Sequence, residues 1–557
     1  MALTPSLKPY SLVITLCGCA SCRGLRHNEA MQHTDVIIVG AGSAGCVLAD
    51  RLSESGRRQV VLLEAGGRDT NPWIHVPMGY GKLFNHPTLN WAYESEPEPH
   101  CNGRRIFTPR GKVLGGSSSI NGLVYVRGQA QDFDLWNIPG WTHADLLPSF
   151  IKAEDQSRGA NEWHGVGGPL AVSDLPDRHP LCDAFIASAQ AIGVPRNDDF
   201  NGASQEGAGY YQANTRNGRR ISTAVGYLKR ARARPNFRVE VHAHATRIVF
   251  EGKRAVGVEY LQNGQRRQLR AGQVILAGGA FNSPQLLQLS GIGPAEVLQQ
   301  HGIEVLHHLP DVGANLQDHF YVRNFFRSRL PMTVNDDMAH WWGRLGMGLR
   351  WVLQRRGPLA ISAGYAAAFV KTRPELLRPD AQFYFINFSL ARRGGILDQH
   401  SGFTCSVSQL QAESRGWVKI RNADPFAAPL IQYNYLDTEN DRRTMVEALK
   451  KLRRLVQTPP FSDHVAEELK PGPGVASDEE WLAYCRAVGD TVYHPTSTCR
   501  MGTDEASVVD PQLRLRGVDG LWVIDASVMP SVVSGNTNAA TVAIAEKGAE
   551  LFQAHTR

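Results

Sequence analysis

Two kinds of hydrophobic pattern alternate along this chain. Short continuous apolar runs predict strands that are buried on both faces, as in a parallel sheet; they occupy residues 36–39, 60–63, 273–277 and 521–524. Helical spacing predicts a helix over residues 44–52, directly after the first strand, and an amphipathic helix over residues 539–552. Both ends of the chain therefore contribute to one α/β unit.

Further elements join these ends. Residues 237–250 and 255–260 predict the strands of a β-hairpin. Residues 284–289 predict a helix in which Ser283 is the N-cap and Pro284 the first helical position.

The middle of the chain has a different pattern and lacks nucleotide-binding motifs. Residues 71–110 are rich in Pro, Trp, Tyr and Asn and predict a long irregular excursion. From about residue 320 to 485, strands at 381–388 and 416–420 mix with a helix at 439–458. This region is typical of a substrate-side domain built on an antiparallel sheet.

Composition narrows the class of protein. The 557 residues, 42% hydrophobic and 20% charged, are typical of a soluble globular protein of two or three domains. The formal charge of +6 is mild, and the arginine pairs are scattered, which favours solvated faces over a nucleic-acid surface. Nine cysteines lie without zinc-ligand spacing, so we expect no metal and reduced thiols in a cytoplasmic protein.

The first thirty residues allow two interpretations. Residues 11–20 are apolar but too short to span a bilayer, and Cys17, Cys19 and Cys22 lie close by. The stretch resembles a weak secretion signal; the alternative, which we favour, is that Met31 is the true start. No other stretch is long and apolar enough to predict a transmembrane helix.

A glycine-rich turn follows the first strand. Gly40, Gly42 and Gly45 form Gly-X-Gly-X-X-Gly, and Glu64 ends the next strand, 24 residues after Gly40. Glycines let the backbone approach a pyrophosphate at the helix N-terminus, while the acid suits a ribose hydroxyl. The alternative is an ordinary glycine-rich turn. The order strand, turn, helix, strand and acid favours a dinucleotide site.

Three other segments carry candidate chemistry. In residues 110–127, Gly115 and Gly116 permit close backbone approach and Asn121 is a possible donor to a cofactor, although a surface turn is the alternative. His494 precedes Pro495, which directs it away from helical backbone, and Asn536 precedes the final helix. A histidine held in this way can project into a pocket.

These motifs together resemble the glucose–methanol–choline (GMC) oxidoreductase family, and within it the bacterial choline dehydrogenase branch. The matching stretches run in family order from residue 34 to the C-terminus: 35–45, 64–67, 90–94, 111–121, 279–294, 312–319, 494–502, 525–527 and 535–539.

The resemblance implies a fold and a cofactor. The expected fold class is α/β, with a Rossmann-like FAD-binding domain and a discontinuous α+β substrate domain built on an antiparallel sheet. After an extension at 1–33, we expect the FAD domain at 34–155, 220–320 and 490–557, and the substrate domain at 156–219 and 321–489.

The resemblance also implies oxidation of an alcohol to an aldehyde. His494 is expected to accept the hydroxyl proton while hydride passes from the same carbon to flavin N5, and Asn536 to hold the substrate oxygen. A near-neutral histidine pKa suits this transfer. Thr537 and Asn538 are expected at the flavin pyrimidine end, although Asn538 is alternatively a simple N-cap.

Other cofactor contacts rest on family position. Asp525 is expected near the ribityl chain or pyrophosphate, and Asn121 near the flavin ring. The remaining expected FAD contacts are Ser43, Ala44, Ala65, Val113, Gly116, Ser117, Gly122, Val124, Thr246 and Ala526. Some choline-oxidising relatives attach FAD through a histidine; Ile120 stands there, so we expect noncovalent FAD.

The substrate is less determined than the reaction. A choline cage needs aromatic rings, and the candidates are Tyr365, Phe383, Tyr384, Phe385 and Phe388. Arg392 and Arg393 are poor neighbours for a cation if they face the pocket, so a primary alcohol is favoured over choline. The alternative is that both arginines are exposed and that the aromatic residues belong to the core. The expected acceptor is a quinone or another acceptor, with O2 as an alternative, and peripheral association with the inner membrane is left open. A non-redox hydroxynitrile lyase is the alternative of a different class.

Overall fold

The computed structural model describes residues 33–390 and 397–556. The expectations for the N-terminal extension and its cysteines, and those for Arg392 and Arg393, lie outside the described residues.

The described residues form 25 strands and 14 α-helices. The strands are β1 (His33–Val39), β2 (Val60–Leu63), β3 (Tyr93–Glu94), β4 (Phe107–Thr108), β5 (Glu154–Gln156), β6 (Leu170–Asp174), β7 (Gly207–Tyr210), β8 (Gln212–Ala213), β9 (Thr215–Arg216), β10 (Arg219–Arg220), β11 (Phe237–Glu240), β12 (Ala243–Glu251), β13 (Arg254–Gln262), β14 (Gln265–Leu276), β15 (Ile292–Gly293), β16 (His307–His308), β17 (Phe320–Ser328), β18 (Ala366–Val370), β19 (Ala381–Ile386), β20 (Gly402–Gln409), β21 (Trp417–Lys419), β22 (Leu430–Gln432), β23 (Val465–Lys470), β24 (Asp490–Thr491) and β25 (Leu521–Val523).

The helices are α1 (Ser43–Ser53), α2 (Pro72–His75), α3 (Tyr80–Leu83), α4 (Ala130–Asp134), α5 (His143–Ala153), α6 (Pro180–Ala191), α7 (Lys229–Ala231), α8 (Gly279–Leu289), α9 (Ala295–Gln300), α10 (Val334–Ala339), α11 (Trp341–Gln354), α12 (Glu439–Val456), α13 (Asp478–Val488) and α14 (Thr537–His555).

The apolar runs form the centre of a seven-stranded sheet. Its order is β11-β2-β1-β14-β13-β12, and β25 pairs with β14. Strands β11, β2, β1, β14 and β25 are parallel, whereas β12, β13 and β14 form an antiparallel meander. Strands β1 and β2 are covered on both faces, as their continuous apolar runs require. A strand from the far end of the chain, β25, therefore completes the sheet that carries the nucleotide-binding pattern.

The predicted hairpin differs from the observed one. Residues 237–250 are divided at His242, whose φ of +54° interrupts the extended backbone. The first part, β11, pairs in parallel with β2, and only β12 forms the antiparallel pair with β13. A left-handed residue cannot continue a strand, so the apolar pattern alone could not show this break.

The predicted start of helix α8 is wrong. The helix begins at Gly279, so Pro284 lies inside it and Ser283 is not its N-cap. Proline has no N–H to donate to the carbonyl of Ala280. The hydroxyl of Thr498 donates to that carbonyl at 2.6 Å, which removes the cost of an unpaired buried acceptor.

A second seven-stranded sheet is antiparallel throughout, as predicted for the substrate side. Its order is β23-β17-β20-β19-β18-β7, and β24 pairs with β17. Strand β7 comes from the earlier segment expected in this domain. Strands β17 and β24 start at Phe320 and Asp490, and β24 pairs with β17 although its residues lie in a segment expected in the FAD domain.

The final helix, α14, is buried more completely than an amphipathic pattern predicts. Its first half, from Ala539 to Glu546, is enclosed on all sides as it packs against α1 and α5. Glu546 is its one buried charge; it accepts two hydrogen bonds from Arg51 and one from Tyr227, each at 2.8 Å. This pairing offsets the cost of burying a charge in the middle of the helix.

Among the described residues, no helix combines the length and apolarity needed to cross a bilayer.

Candidate active site

One large cavity of about 1410 Å³ lies between the two sheets. One wall is formed at the carboxyl ends of β1, β2, β14 and β25, where parallel α/β sheets bind their ligands. The opposite wall is formed by side chains of β17, β19 and β20. Typical small-ligand pockets have roughly 300–1,000 Å³, so this volume suits a dinucleotide together with a second, smaller molecule.

Most of the predicted cofactor residues line this cavity. Those that do are Gly40, Gly42, Ser43, Ala44, Glu64, Ala65, Gly116, Ser117, Asn121, Gly122, Val124, Asp525, Ala526, Thr537 and Asn538. Gly45, Val113 and Thr246 do not line it. Gly45 packs against the carbonyl of Gly40, Val113 is fully buried, and the Thr246 hydroxyl donates to the carbonyl of Glu259.

The three glycines of the turn are required for different reasons. Gly40 has φ +102°, and a Cβ on Gly45 would lie 1.8 Å from the Gly40 oxygen, so the protein's own backbone requires both. A Cβ on Gly42 would meet nothing closer than the Ala277 oxygen at 3.9 Å, and its φ of −77° suits any residue. The open space at Gly42, beside the N-terminus of α1, fits the pyrophosphate of FAD.

Glu64 is held in place by the same turn. It is buried, and its two oxygens accept hydrogen bonds from the backbone N–H groups of Ala41 at 2.9 Å and Gly66 at 2.8 Å. Burial raises the pKa of Glu64 to about 7. Each oxygen keeps a lone pair that can accept from a ribose hydroxyl, so this pair of acceptors fits an adenosine ribose.

Asp525 is more fully engaged than expected. Its Oδ2 accepts from the Gly279 N–H at 2.8 Å and the Ser283 hydroxyl at 2.6 Å. Its Oδ1 accepts from the N–H and hydroxyl of Ser527 at 2.8 and 2.5 Å. The carboxylate therefore joins two turns of the cavity wall, and any contact with a ribityl chain or pyrophosphate would add to these four bonds.

Two polar contacts orient residues near the expected flavin. The Asn121 side-chain oxygen accepts from the guanidinium of Arg220 at 2.7 Å, and burial lowers the pKa of this arginine to about 9. The Asn538 side-chain oxygen accepts from the Ser43 hydroxyl at 2.7 Å, joining the N-termini of α14 and α1. Asn536, not Asn538, occupies the N-cap position of α14, so the N-cap interpretation of Asn538 is wrong.

The two predicted catalytic residues meet at the cavity wall. Asn536 Nδ2 lies 3.1 Å from His494 Nε2, although the residues are 42 apart in sequence. The backbone N–H of His494 donates to Asp318 Oδ1 at 2.7 Å, which fixes the loop that carries the imidazole. Asn536 Oδ1 is buried without a hydrogen-bond partner among the described residues. A polar ligand that filled this gap would satisfy it.

His319 determines which nitrogen of His494 carries the proton. His319 Nε2 lies 3.2 Å from the Leu410 carbonyl, which only accepts, so Nε2 must donate. His319 Nδ1 is then the acceptor for His494 Nδ1–H at 2.9 Å. His494 Nε2 is left with its lone pair directed to the Asn536 amide and the cavity. This arrangement of protons satisfies the contacts of the two imidazoles with Leu410, with Asn536 and with each other, and leaves both rings neutral.

The electrostatics agree with neutral rings. Burial lowers the pKa of His494 well below 6.5, and the neighbouring His319 and the charge of Arg110 add to this effect. Burial also lowers the pKa of His319 to about 4. The pKa of His494 is thus lower than the near-neutral pKa expected from the sequence, and the imidazole is unprotonated at neutral pH.

Three important residues of the site had no predicted role. Asp318 and His319 stand in the motif at residues 312–319, and Arg110 opens the glycine-rich segment. Asp318 accepts from the hydroxyls of Tyr435 and Thr491 as well as from His494. Arg110 donates to the Tyr493 carbonyl at 2.8 Å. The sequence signal that could have identified Asp318 and His319 is their adjacency inside a matched motif. The residues that these two side chains contact are distant in sequence.

The candidate choline cage is only partly formed. Tyr384 and Phe388 line the cavity, whereas Tyr365, Phe383 and Phe385 belong to the hydrophobic core. Arg110, Arg323 and Arg344 also line the cavity. A cationic substrate would meet these guanidinium groups in a partly desolvated space.

Comparisons with known proteins point to one family. The family models described as GMC oxidoreductase match residues 34–321 and 412–545. The chain is 44% identical over 527 residues to alcohol dehydrogenase [acceptor] of Pseudomonas putida, covering 93% of this chain and 95% of the relative. It is 42% identical over 529 residues to oxygen-dependent choline dehydrogenase of Vibrio vulnificus, covering 94% of each chain.

Solved structures show the same fold. Pyridoxine 4-oxidase from Mesorbium loti superposes with a TM-score of 0.86 at 31% identity, covering 94% of this chain and all of the other. Formate oxidase of Aspergillus oryzae, in a variant studied for its FAD modification, superposes with a TM-score of 0.88 at 27% identity, covering 94% of this chain and 98% of the other.

Proposed function

Because this chain belongs to the GMC oxidoreductase family, we propose that its cavity oxidises a primary alcohol to an aldehyde, with His494 as the proton acceptor. The enzyme is an FAD-dependent oxidoreductase that acts on CH–OH donors. When bound, FAD supplies the acceptor for the hydride that leaves the alcohol carbon. Gly42, Glu64 and the N-termini of α1 and α14 would hold it.

The observation that carries the proposal is the direction of the His494 lone pair. His494 Nε2 faces the cavity beside the Asn536 amide, at 3.1 Å. An alcohol bound beside this pair displaces the Asn536 hydrogen bond from Nε2, donates its own hydroxyl proton to Nε2 and accepts from Asn536 Nδ2. As the proton moves, negative charge on the oxygen is stabilised by the amide. His319 accepts the Nδ1–H throughout and keeps Nε2 in its basic tautomer.

The charge of the cavity supports a neutral substrate. Glu64 and Asp525 lie at the nucleotide end, and their oxygens are bound to the turns described above. Away from the nucleotide end the lining carries three arginines, Arg110, Arg323 and Arg344, against one carboxylate, Asp398, and Arg323 is itself paired with Asp490 at 3.6 Å. A quaternary ammonium gains little there, whereas an aliphatic or aromatic alcohol meets apolar side chains.

A substrate panel tests this proposal. With a dye as electron acceptor, we expect kcat/KM for medium-chain and benzylic primary alcohols to exceed that for choline by about 10-fold or more, a difference of about 1.4 kcal/mol. Added alcohol should also bleach the flavin absorbance under anaerobic conditions. Choline as the preferred substrate would contradict the proposed class, and a flavin that no alcohol bleaches would favour the lyase.

We also propose that FAD is bound noncovalently. Ile120 lines the cavity at the position where some relatives attach the flavin, and its side chain has no nucleophilic atom. Acid precipitation should therefore release essentially all of the yellow colour into the supernatant, measured by absorbance and mass spectrometry. Colour that remains with the precipitated protein would contradict this prediction.

The cellular setting is proposed as cytoplasmic, with peripheral association to the inner membrane and transfer of electrons to a quinone or another acceptor. The free state of the described cysteines supports a reducing compartment. They are all buried: Cys46, Cys101, Cys182, Cys405, Cys485 and Cys499.

A further inference from the structure

Helix α11 exposes an uninterrupted apolar stripe. Trp341, Trp342, Leu345, Leu349, Val352 and Leu353 are each between 50% and 75% exposed. At 3.6 residues per turn these six positions fall within an arc of about 120°, so they form one face. Only Met347, on the opposite side of the helix, is buried. Soluble monomers rarely expose contiguous apolar surface of this kind without a function.

Positive charge flanks this stripe. Residues 340–356 contain Arg344, Arg350, Arg355 and Arg356 and no acidic residue. Asp177 pairs with Arg350 and Arg356. Across the described part of the chain, no carboxylate forms an ion pair with Arg344 or Arg355; the first donates to the Met338 carbonyl and the second lies over Trp351.

We propose that α11 is a membrane-docking surface that takes an anionic phospholipid bilayer. Tryptophan and leucine on one face with arginine at its edges are the composition of a helix that lies in a bilayer interface. A symmetric contact between two copies would bring the same arginines together, which disfavours that occupant. The inference rests on the proposed peripheral association and is independent of the alcohol chemistry.

Helix α11 separates the proposed docking surface from the cavity. Met338 and Ala339, at the end of α10, line the cavity, as do Arg344 and Met347 of α11. A bilayer against the stripe would therefore lie on the far side of α11 from the cavity, one helix away from this wall.

Vesicle binding tests the surface. Full-length FAD-loaded protein is mixed with vesicles of phosphatidylglycerol and phosphatidylethanolamine, or of phosphatidylcholine alone, and binding is measured by co-flotation. We expect binding to the anionic vesicles that is at least about 10-fold stronger than to phosphatidylcholine and that weakens with salt. Arg355→Gln should reduce this preference.

A matched pair of variants locates the contact. Leu349→Glu should weaken binding to anionic vesicles at least about 10-fold, whereas Leu377→Glu, at a leucine that is 98% exposed elsewhere, should leave it unchanged. Flavin content and melting temperature establish that both variants fold. Brominated acyl chains should quench tryptophan fluorescence in the wild type, and Trp341→Ser should reduce the quenching.

Three outcomes would overturn the proposal. They are no binding of the wild type at low salt, equal binding of Leu349→Glu and wild type, and a dimer in sedimentation that Leu349→Glu dissociates while vesicles bind neither protein. The last outcome would assign the stripe to a second copy. Each outcome is distinguishable from failure of the alcohol proposal because turnover with a soluble dye is measured separately.

Discussion

Replacing His494 with alanine is expected to lower kcat by about 10²–10⁴-fold while FAD remains bound. The substitution removes the one imidazole lone pair that faces the Asn536 amide, so the alcohol proton has no positioned acceptor. Steady-state kinetics with the best alcohol measure the loss, and the flavin spectrum shows that the cofactor site is intact. Near-normal turnover of this variant would show that His494 is not the base.

His319 provides the control for this interpretation. His319→Leu should leave His494 Nδ1–H without an acceptor and permit the wrong tautomer, lowering kcat/KM by about 10–100-fold. His319→Asn, whose side-chain oxygen can accept, should retain more activity. A purely structural role would affect melting temperature without separating the two variants.

The pH dependence follows from the same network. Since burial lowers the pKa of His494 below 6.5, the neutral base persists as pH falls, and the acid limb of the kcat/KM profile should lie below pH 6.5. Arg110→Gln removes a charge that opposes protonation and should move this limb to higher pH. A limb above pH 7 in the wild type would contradict the neutral, buried histidine.

Gly42→Ala is expected to weaken FAD binding by at least about 100-fold without destabilising the apoprotein. The new Cβ would meet no protein atom within 3.9 Å, and φ of −77° suits alanine, so the apoprotein should be unchanged or stabilised by up to about 1 kcal/mol. The methyl group would occupy space beside the N-terminus of α1 that the pyrophosphate needs. Flavin fluorescence titration of apoprotein measures the affinity.

Gly45→Ala is the matched control, with the opposite expectation. Its Cβ would lie 1.8 Å from the Gly40 oxygen, so the turn itself must move, at a cost of about 1–3 kcal/mol in unfolding free energy. The apoprotein should therefore melt earlier. Normal FAD affinity in Gly42→Ala would refute the assignment of the open space at Gly42 to the cofactor.

Local pattern predicted the elements whose environment is uniform along their length. The runs at β1 and β2 are buried on both faces, so their sequence is continuously apolar and their boundaries were predictable. The antiparallel character of the substrate-side sheet was also predictable, because its strands mix apolar and polar residues and no dinucleotide-binding motif accompanies them. The break at His242 and the position of Pro284 inside α8 were mispredicted because both depend on distant segments. The backbone N–H of His242 donates to the Gly66 carbonyl, and the Ala280 carbonyl that Pro284 leaves free accepts from Thr498.

The sequence by itself determined the parallel strands, the glycine turn, the family to which the chain belongs, and the identity of His494 and Asn536 as candidates, because each is encoded in a contiguous motif. Only the tertiary structure decided that His319 fixes the tautomer of His494, that Asn536 meets that imidazole, and that α11 presents its apolar face outward. Proton positions, pKa values and exposure depend on which groups approach through space, and residues far apart along the chain supply those groups.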